Sequence, residues 1–178
     1  MASASPEPKR QKRDYTEYTL NINTAVDKEY EKSSFSDIAR APVVAVEGIA
    51  ERGAEALNTL GVKTVRDLGE WKYYKWAKAI TALAAKEVEG GRAEGTVMNI
   101  DQAVMKEYEK KSLKEVAEAP VHALQGVSEK TSDGLATIFV KTVEDLANSK
   151  FAAWCEAIAT LADVEQLEAE NRMLKKLE

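Results

Sequence analysis

Apolar residues recur at three- and four-residue spacing along several stretches of the chain, the signature of helices with one buried face. The longest stretch predicts a helix from about Lys72 to Val88, with Tyr73, Trp76, Ala77, Ile80, Leu83 and Ala84 on one side. Phe151, Trp154, Cys155, Ile158, Leu161 and Ala162 repeat the pattern, and from Leu161 it runs on through Val164, Leu167, Asn171 and Leu174. Those last four fit alternating a and d heptad positions with a polar Asn at a. This predicts an extended C-terminal helix, either lying on its own domain or self-associating. Shorter helices are predicted over Glu51 to Leu60 and Glu129 to Ile138.

Helix starts are marked chemically. Ser112-Leu113-Lys114-Glu115 is a capping box, and Ser34-Phe35-Ser36-Asp37 is its counterpart with a shorter acid. Thr64-Val65-Arg66-Asp67 and Thr142-Val143-Glu144-Asp145 repeat the arrangement. In each, a hydroxyl can accept from a free backbone N–H, and the acid suits the positive helix end. Ala41-Pro42 and Ala119-Pro120 break the preceding helix, because the residue before proline is driven out of helical geometry. Gly48 and Gly126 mark a further turn. Gly61 is placed to end a helix in the left-handed conformation, whereas Phe139 at the matching position predicts an end of different shape. Tyr18 to Ile22 and Thr96 to Ile100 read as short extended segments.

These signals come in pairs because the chain is duplicated. Asn21–Ala84 aligns without a gap on Asn99–Ala162, 78 residues on, and 31 of the 64 pairs are identical. Two copies of one small domain follow. The expected organisation is a disordered basic tail (1–14), repeat 1 (15–89), a glycine-rich linker (90–96), and repeat 2 with its helical extension (97–178).

Composition narrows the function. Of 178 residues, 44% are apolar and 31% charged, as in a soluble globular protein. No run approaches the ~20 apolar residues that span a bilayer. A single cysteine and a single histidine exclude an internal disulfide and a Cys- or His-rich metal site. The net charge is −5, and the first 14 residues contribute +2, so the body is acidic. An acidic body is poorly suited to gripping a phosphate backbone. His122 aligns with Val44 and Cys155 with Ala77, so both positions accept apolar groups. No phosphate loop, no nucleophile with a base and no cofactor motif is present, which predicts a protein without enzymatic activity. Met1-Ala2-Ser3 and Leu177-Glu178 resemble residues left by expression cloning, which would mean a lost targeting segment. The expected compartment is soluble and intracellular, with nucleus or plastid stroma both open.

The stretch from Val46 to Leu68, with Gly48-Ile49-Ala50-Glu51-Arg52 and Val62-Lys63-Thr64-Val65-Arg66-Asp67-Leu68, and its counterpart from Leu124 to Leu146 resemble the helix-hairpin-helix family. The whole copy is similar to the five-helix SAM-like fold that carries such hairpins. The duplicated chain also resembles tandem-helical proteins of algae with secondary plastids. The first resemblance implies an all-α protein with two tandem five-helix domains. In DNA-binding members the hairpin grips a phosphate, which would assign Gly48, Ala50 and Arg52, and Gly126, Ser128 and Lys130, as contacts. The second hairpin glycine is replaced by Ala50 and Ser128, and Glu51 and Glu129 stand where a phosphate would sit. Other members are protein-docking or structural modules.

The copies diverge most on one helix face. Trp71, Tyr74, Lys75 and Lys78 share it at i, i+3, i+4 and i+7, against Ser149, Ala152, Ala153 and Glu156 in copy two. Two readings follow: a partner-binding face, or aromatics packed on the other copy. The expected function is a structural or protein–protein interaction module, a linker or scaffold in a larger assembly. The alternative is a nucleic-acid binder using the hairpins and the basic tail, with weak affinity.

Overall fold

A computed structural model describes residues 14–167. Eight α-helices form: α1 Phe35–Arg40, α2 Glu51–Thr59, α3 Val65–Gly69, α4 Lys72–Ala84, α5 Leu113–Glu118, α6 Glu129–Leu135, α7 Val143–Ala147 and α8 Lys150–Val164. Single 3-10 turns lie between them, at Lys28–Tyr30, Val43–Ala45, Lys106–Tyr108, Val121–Ala123 and Ala136–Ile138. The described residues are helical with no β-strand, only four isolated bridges. Tyr18 to Ile22 and Thr96 to Ile100 belong to no strand. No helix among the described residues is long and apolar enough to cross a membrane.

Local chemistry sets the helix ends. Thr64, Ser112 and Thr142 form full capping boxes, and Ser34 accepts from the Asp37 N–H. Each such cap contributes about 1 kcal/mol. After α2, the Val62 N–H bonds to the Leu57 carbonyl and the Gly61 N–H to that of Asn58, with Gly61 at φ 82. The equivalent bonds, Val140 to Leu135 and Phe139 to Ala136, close the 3-10 turn that follows α6. Phe139 therefore takes the same left-handed conformation as Gly61, φ 66 and ψ 19, while the end differs from that of α2 as expected, through the 3-10 turn Ala136–Ile138. The two six-residue hydrogen-bonded closures are alike, and the backbone follows them at the expense of the phenylalanine.

The packing does not follow the repeat. α4 lies mainly on α5 and α7, beyond the glycine-rich segment, and α8 lies mainly on α1 and α3. Each copy is thus closed by the other copy's long helix. The crossing points are short: Glu70-Trp71 leads from α3 to α4, and Asn148-Ser149 from α7 to α8, with Trp71 and Ser149 extended. α2 crosses α6 at close quarters, where a side chain at Gly53 would run into Ile138 and a Cβ at Gly134 would fall 2.5 Å from that of Ala56. The apolar cluster is continuous across both copies, from Val26, Leu57 and Tyr74 to Leu124, Leu135 and Cys155.

Both long helices are shorter or less continuous than their apolar pattern predicts. α4 stops at Ala84 rather than Val88, and Leu83 on its expected core face is 58% exposed. α8 stops at Val164, where Glu165 turns extended (φ −70, ψ 130), so no unbroken helix runs on toward Leu174. Asn171 and Leu174 lie outside the described residues, as does the basic tail apart from Asp14. The cause of both stops is tertiary. The Glu87 carboxylate accepts from the Leu113 and Lys114 N–H groups at 2.7 and 3.0 Å, and Glu165 accepts from Phe35 and Ser36 at 2.9 Å each. Each exchanged helix gives up its last turn so that a carboxylate can cap the first helix of the other copy.

Candidate functional site

On the divergent face, Tyr74 and Lys78 of α4 meet Glu156 of α8. Trp71 and Tyr74 are 7% and 1% exposed, which agrees with the reading of this face as packed aromatics and not with the reading of it as an open partner-binding face. Its aromatics are packing. The Tyr74 hydroxyl donates to Glu156 Oε2 at 3.0 Å, and Lys78 Nζ reaches the same oxygen at 2.8 Å while lying 5.1 Å from the Tyr74 ring. Burial first, then the Glu156 contact, pushes the Tyr74 phenol well above its ordinary range. The Lys78 hydrogen bond holds the Glu156 carboxyl below the usual range. Of the four residues, only Lys75 and Lys78 reach solvent.

Lys78 and Glu156 are the same position in the two copies, and so are Ala56 and Gly134. Equivalent residues touch one another only around a two-fold relation. Other contacts obey it. The Tyr73 hydroxyl packs against Gly126, and the Phe151 ring, its equivalent, would lie 3.0 Å from a Cβ at Gly48. Lys72 sits over Tyr73 and Trp76, and Lys150 sits over Phe151 and Trp154, all at about 5 Å. Some ties break the symmetry. The Tyr74–Glu156 hydrogen bond has Ala152 and Lys78 as its equivalents. Arg66 bonds to Asp163 at 2.8 Å and to the Ala159 carbonyl of α8, whereas the equivalents of Arg66 and Asp163 are Glu144 and Ala85.

The hairpin residues are placed as follows. Gly48 and Gly126 hold φ 92 and 101, which only glycine adopts without strain, and each is faced by an aromatic ring from the other copy. Ala50 is the N-cap of α2 without a side-chain bond. Ser128 caps α6, its hydroxyl accepting from the Thr131 N–H. Arg52 and Lys130 are exposed, next to exposed Glu51 and Glu129. The two basic side chains lie on the surface.

His122 is half-buried at an open hollow of about 530 Å³ whose rim carries Glu118, Glu129, Asp133 and Lys141. Among the described residues no three His, Cys, Asp or Glu side chains are grouped to hold a metal. Cys155 is buried at 0% exposure, and burial pushes its thiol up to about 12.

Sequence reasoning missed Glu87, Glu165, Arg66, Asp163 and Glu156. One signal was present: Glu87 and Glu165 are identical at the 78-residue offset, just outside the aligned block. The opposite charges at positions 78 and 156 were a second. No protein-family model, curated protein or solved structure matches the chain.

Proposed function

We propose that the chain is a non-enzymatic structural and protein-interaction module, two tandem helix-hairpin-helix-like copies of the SAM-like kind, serving as a linker or scaffold. The supporting observation is the reciprocal closure. Each copy spends its long helix, its aromatic residues and a carboxylate on fixing the other copy, so two similar hairpins are presented at one set geometry. That is the property a spacer needs. The hairpins themselves favour this reading over phosphate binding: both glycines are faced by internal aromatics, Ser128 is used as a cap, and Glu51 and Glu129 flank the two basic residues.

Two measurements test it. Fluorescence anisotropy with duplex DNA at ~0.15 M salt should show weak binding that disappears when residues 1–14 are removed. Tight, tail-independent binding abolished by Arg52→Glu plus Lys130→Glu would establish the nucleic-acid reading instead. Capture from the native source should retain the same protein partner with and without nuclease treatment. A partner lost on nuclease treatment would count against the scaffold.

A further inference from the structure

The interface between the copies carries a conclusion that does not depend on the scaffold reading. Ile38, Ala39, Val65 and Leu68 of α1 and α3 are all at most 2% exposed, and they lie under α8, whose buried side carries Cys155, Ile158 and Ala162. The long helix on that face is α8; copy one's own long helix is on α5 and α7. Each copy therefore ends as an acceptor face without a lid and a lid without its own acceptor.

We propose that this is an exchange surface that also works in trans: the α1/α3 face accepts α8, and the α5/α7 face accepts α4, from a second molecule of this chain. The pairing is restricted to unlike copies. Three contacts set the restriction. At the two-fold position Lys78 meets Glu156, whereas two like copies would oppose Lys to Lys or Glu to Glu. The Tyr74 hydroxyl needs the acceptor that Glu156 provides, and copy one has Lys78 there. Arg66 of copy one finds Asp163 only on the copy-two helix. In the intact chain the segment from Ala85 to Met98, exposed and carrying Gly90, Gly91 and Gly95, keeps the two copies at high local concentration, so closure occurs within one molecule. Opening that tether transfers the same contacts to a neighbour.

The test uses the full chain with a specific protease site inserted between Gly90 and Gly91 and cut after folding. The cut halves should elute at the volume of the uncut chain and part only in denaturant. Two differently tagged preparations, cut, unfolded together and refolded, should give mixed N-half/C-half pairs in the statistical proportion by native mass spectrometry. N-half/N-half and C-half/C-half pairs should be absent. Lys78→Glu should weaken re-association about fivefold, whereas Lys78→Arg, which keeps the charge and leaves Glu156 in place for Tyr74, should not. If the halves refold poorly from full denaturation, incubating the two cut preparations together at the lowest urea concentration that parts the halves, then diluting, reads the same exchange. Halves that separate as folded monomers would overturn the exchange surface. Like pairs forming as readily as unlike pairs would overturn its selectivity.

Discussion

Gly69→Ala separates local from tertiary expectation by sign. Gly69 closes α3, its backbone is helical, and the equivalent residue in copy two is Ala147. Local propensity alone favours alanine by up to about 1 kcal/mol. The structure predicts the opposite. A Cβ at Gly69 would lie 2.6 Å from the carbonyl carbon and oxygen of Cys155 and from the Glu156 nitrogen. These are backbone atoms inside α8 and cannot rotate away, so the helices must separate and loosen the contacts around Leu68, Cys155 and Ile158. Overpacking of this kind costs ~1–3 kcal/mol, leaving a net loss of up to about 2 kcal/mol once the full ~1 kcal/mol of propensity is credited. For a chain of this size that lowers the melting temperature by up to ~8 °C. Thermal unfolding followed by far-UV circular dichroism, with a urea titration beside it, measures the change. A raised melting temperature would refute the α3–α8 contact and, with it, the exchange of closing helices.

Phe139→Gly should raise stability by about 1 kcal/mol in a denaturant titration, because Phe139 is 77% exposed and holds a left-handed conformation that costs an L-residue ~1–2 kcal/mol; a loss of stability would mean that the ring has a packing role. Trp71→Ser and Tyr74→Ala should each cost ~3 kcal/mol or more, since both side chains are buried. A double variant whose melt shifts by no more than ~0.5 kcal/mol would instead show an exposed face. Cys155 should resist a thiol reagent at pH 8 in the native chain and react fully once unfolded. Its folded pKa is raised to about 12 from an ordinary value of 9.0, so the folded state holds the proton more tightly. The associated stability is complete below pH 9 and declines as pH rises through 12. Cys155→Ala, the residue at the equivalent position 77, should flatten that part of the alkaline profile, and an unchanged slope would place its origin elsewhere.

The sequence by itself determined the helical class, the helix starts and most turns. Thr64 with Asp67, Ser112 with Glu115 and Thr142 with Asp145 act within four residues, and Pro42, Pro120, Gly48 and Gly126 act through their own backbones. Such interactions need no knowledge of the rest of the chain. The 78-residue offset likewise showed where elements would recur. It could not show which acceptor face each long helix would cover. The two copies share so much of their apolar pattern that α4 and α8 fit either face on pattern alone. That choice rests on contacts between residues 78 to 130 positions apart: Lys78 with Glu156, Arg66 with Asp163, Glu165 with Phe35 and Ser36. For the same reason the sequence left the face bearing Trp71 and Tyr74 undecided between open and packed, where burial decides for packing, and Leu83 read as core when it was exposed. A helical stripe specifies that one side must be buried; only the packed chain decides what buries it, because nearly equal partners differ by a few long-range polar contacts.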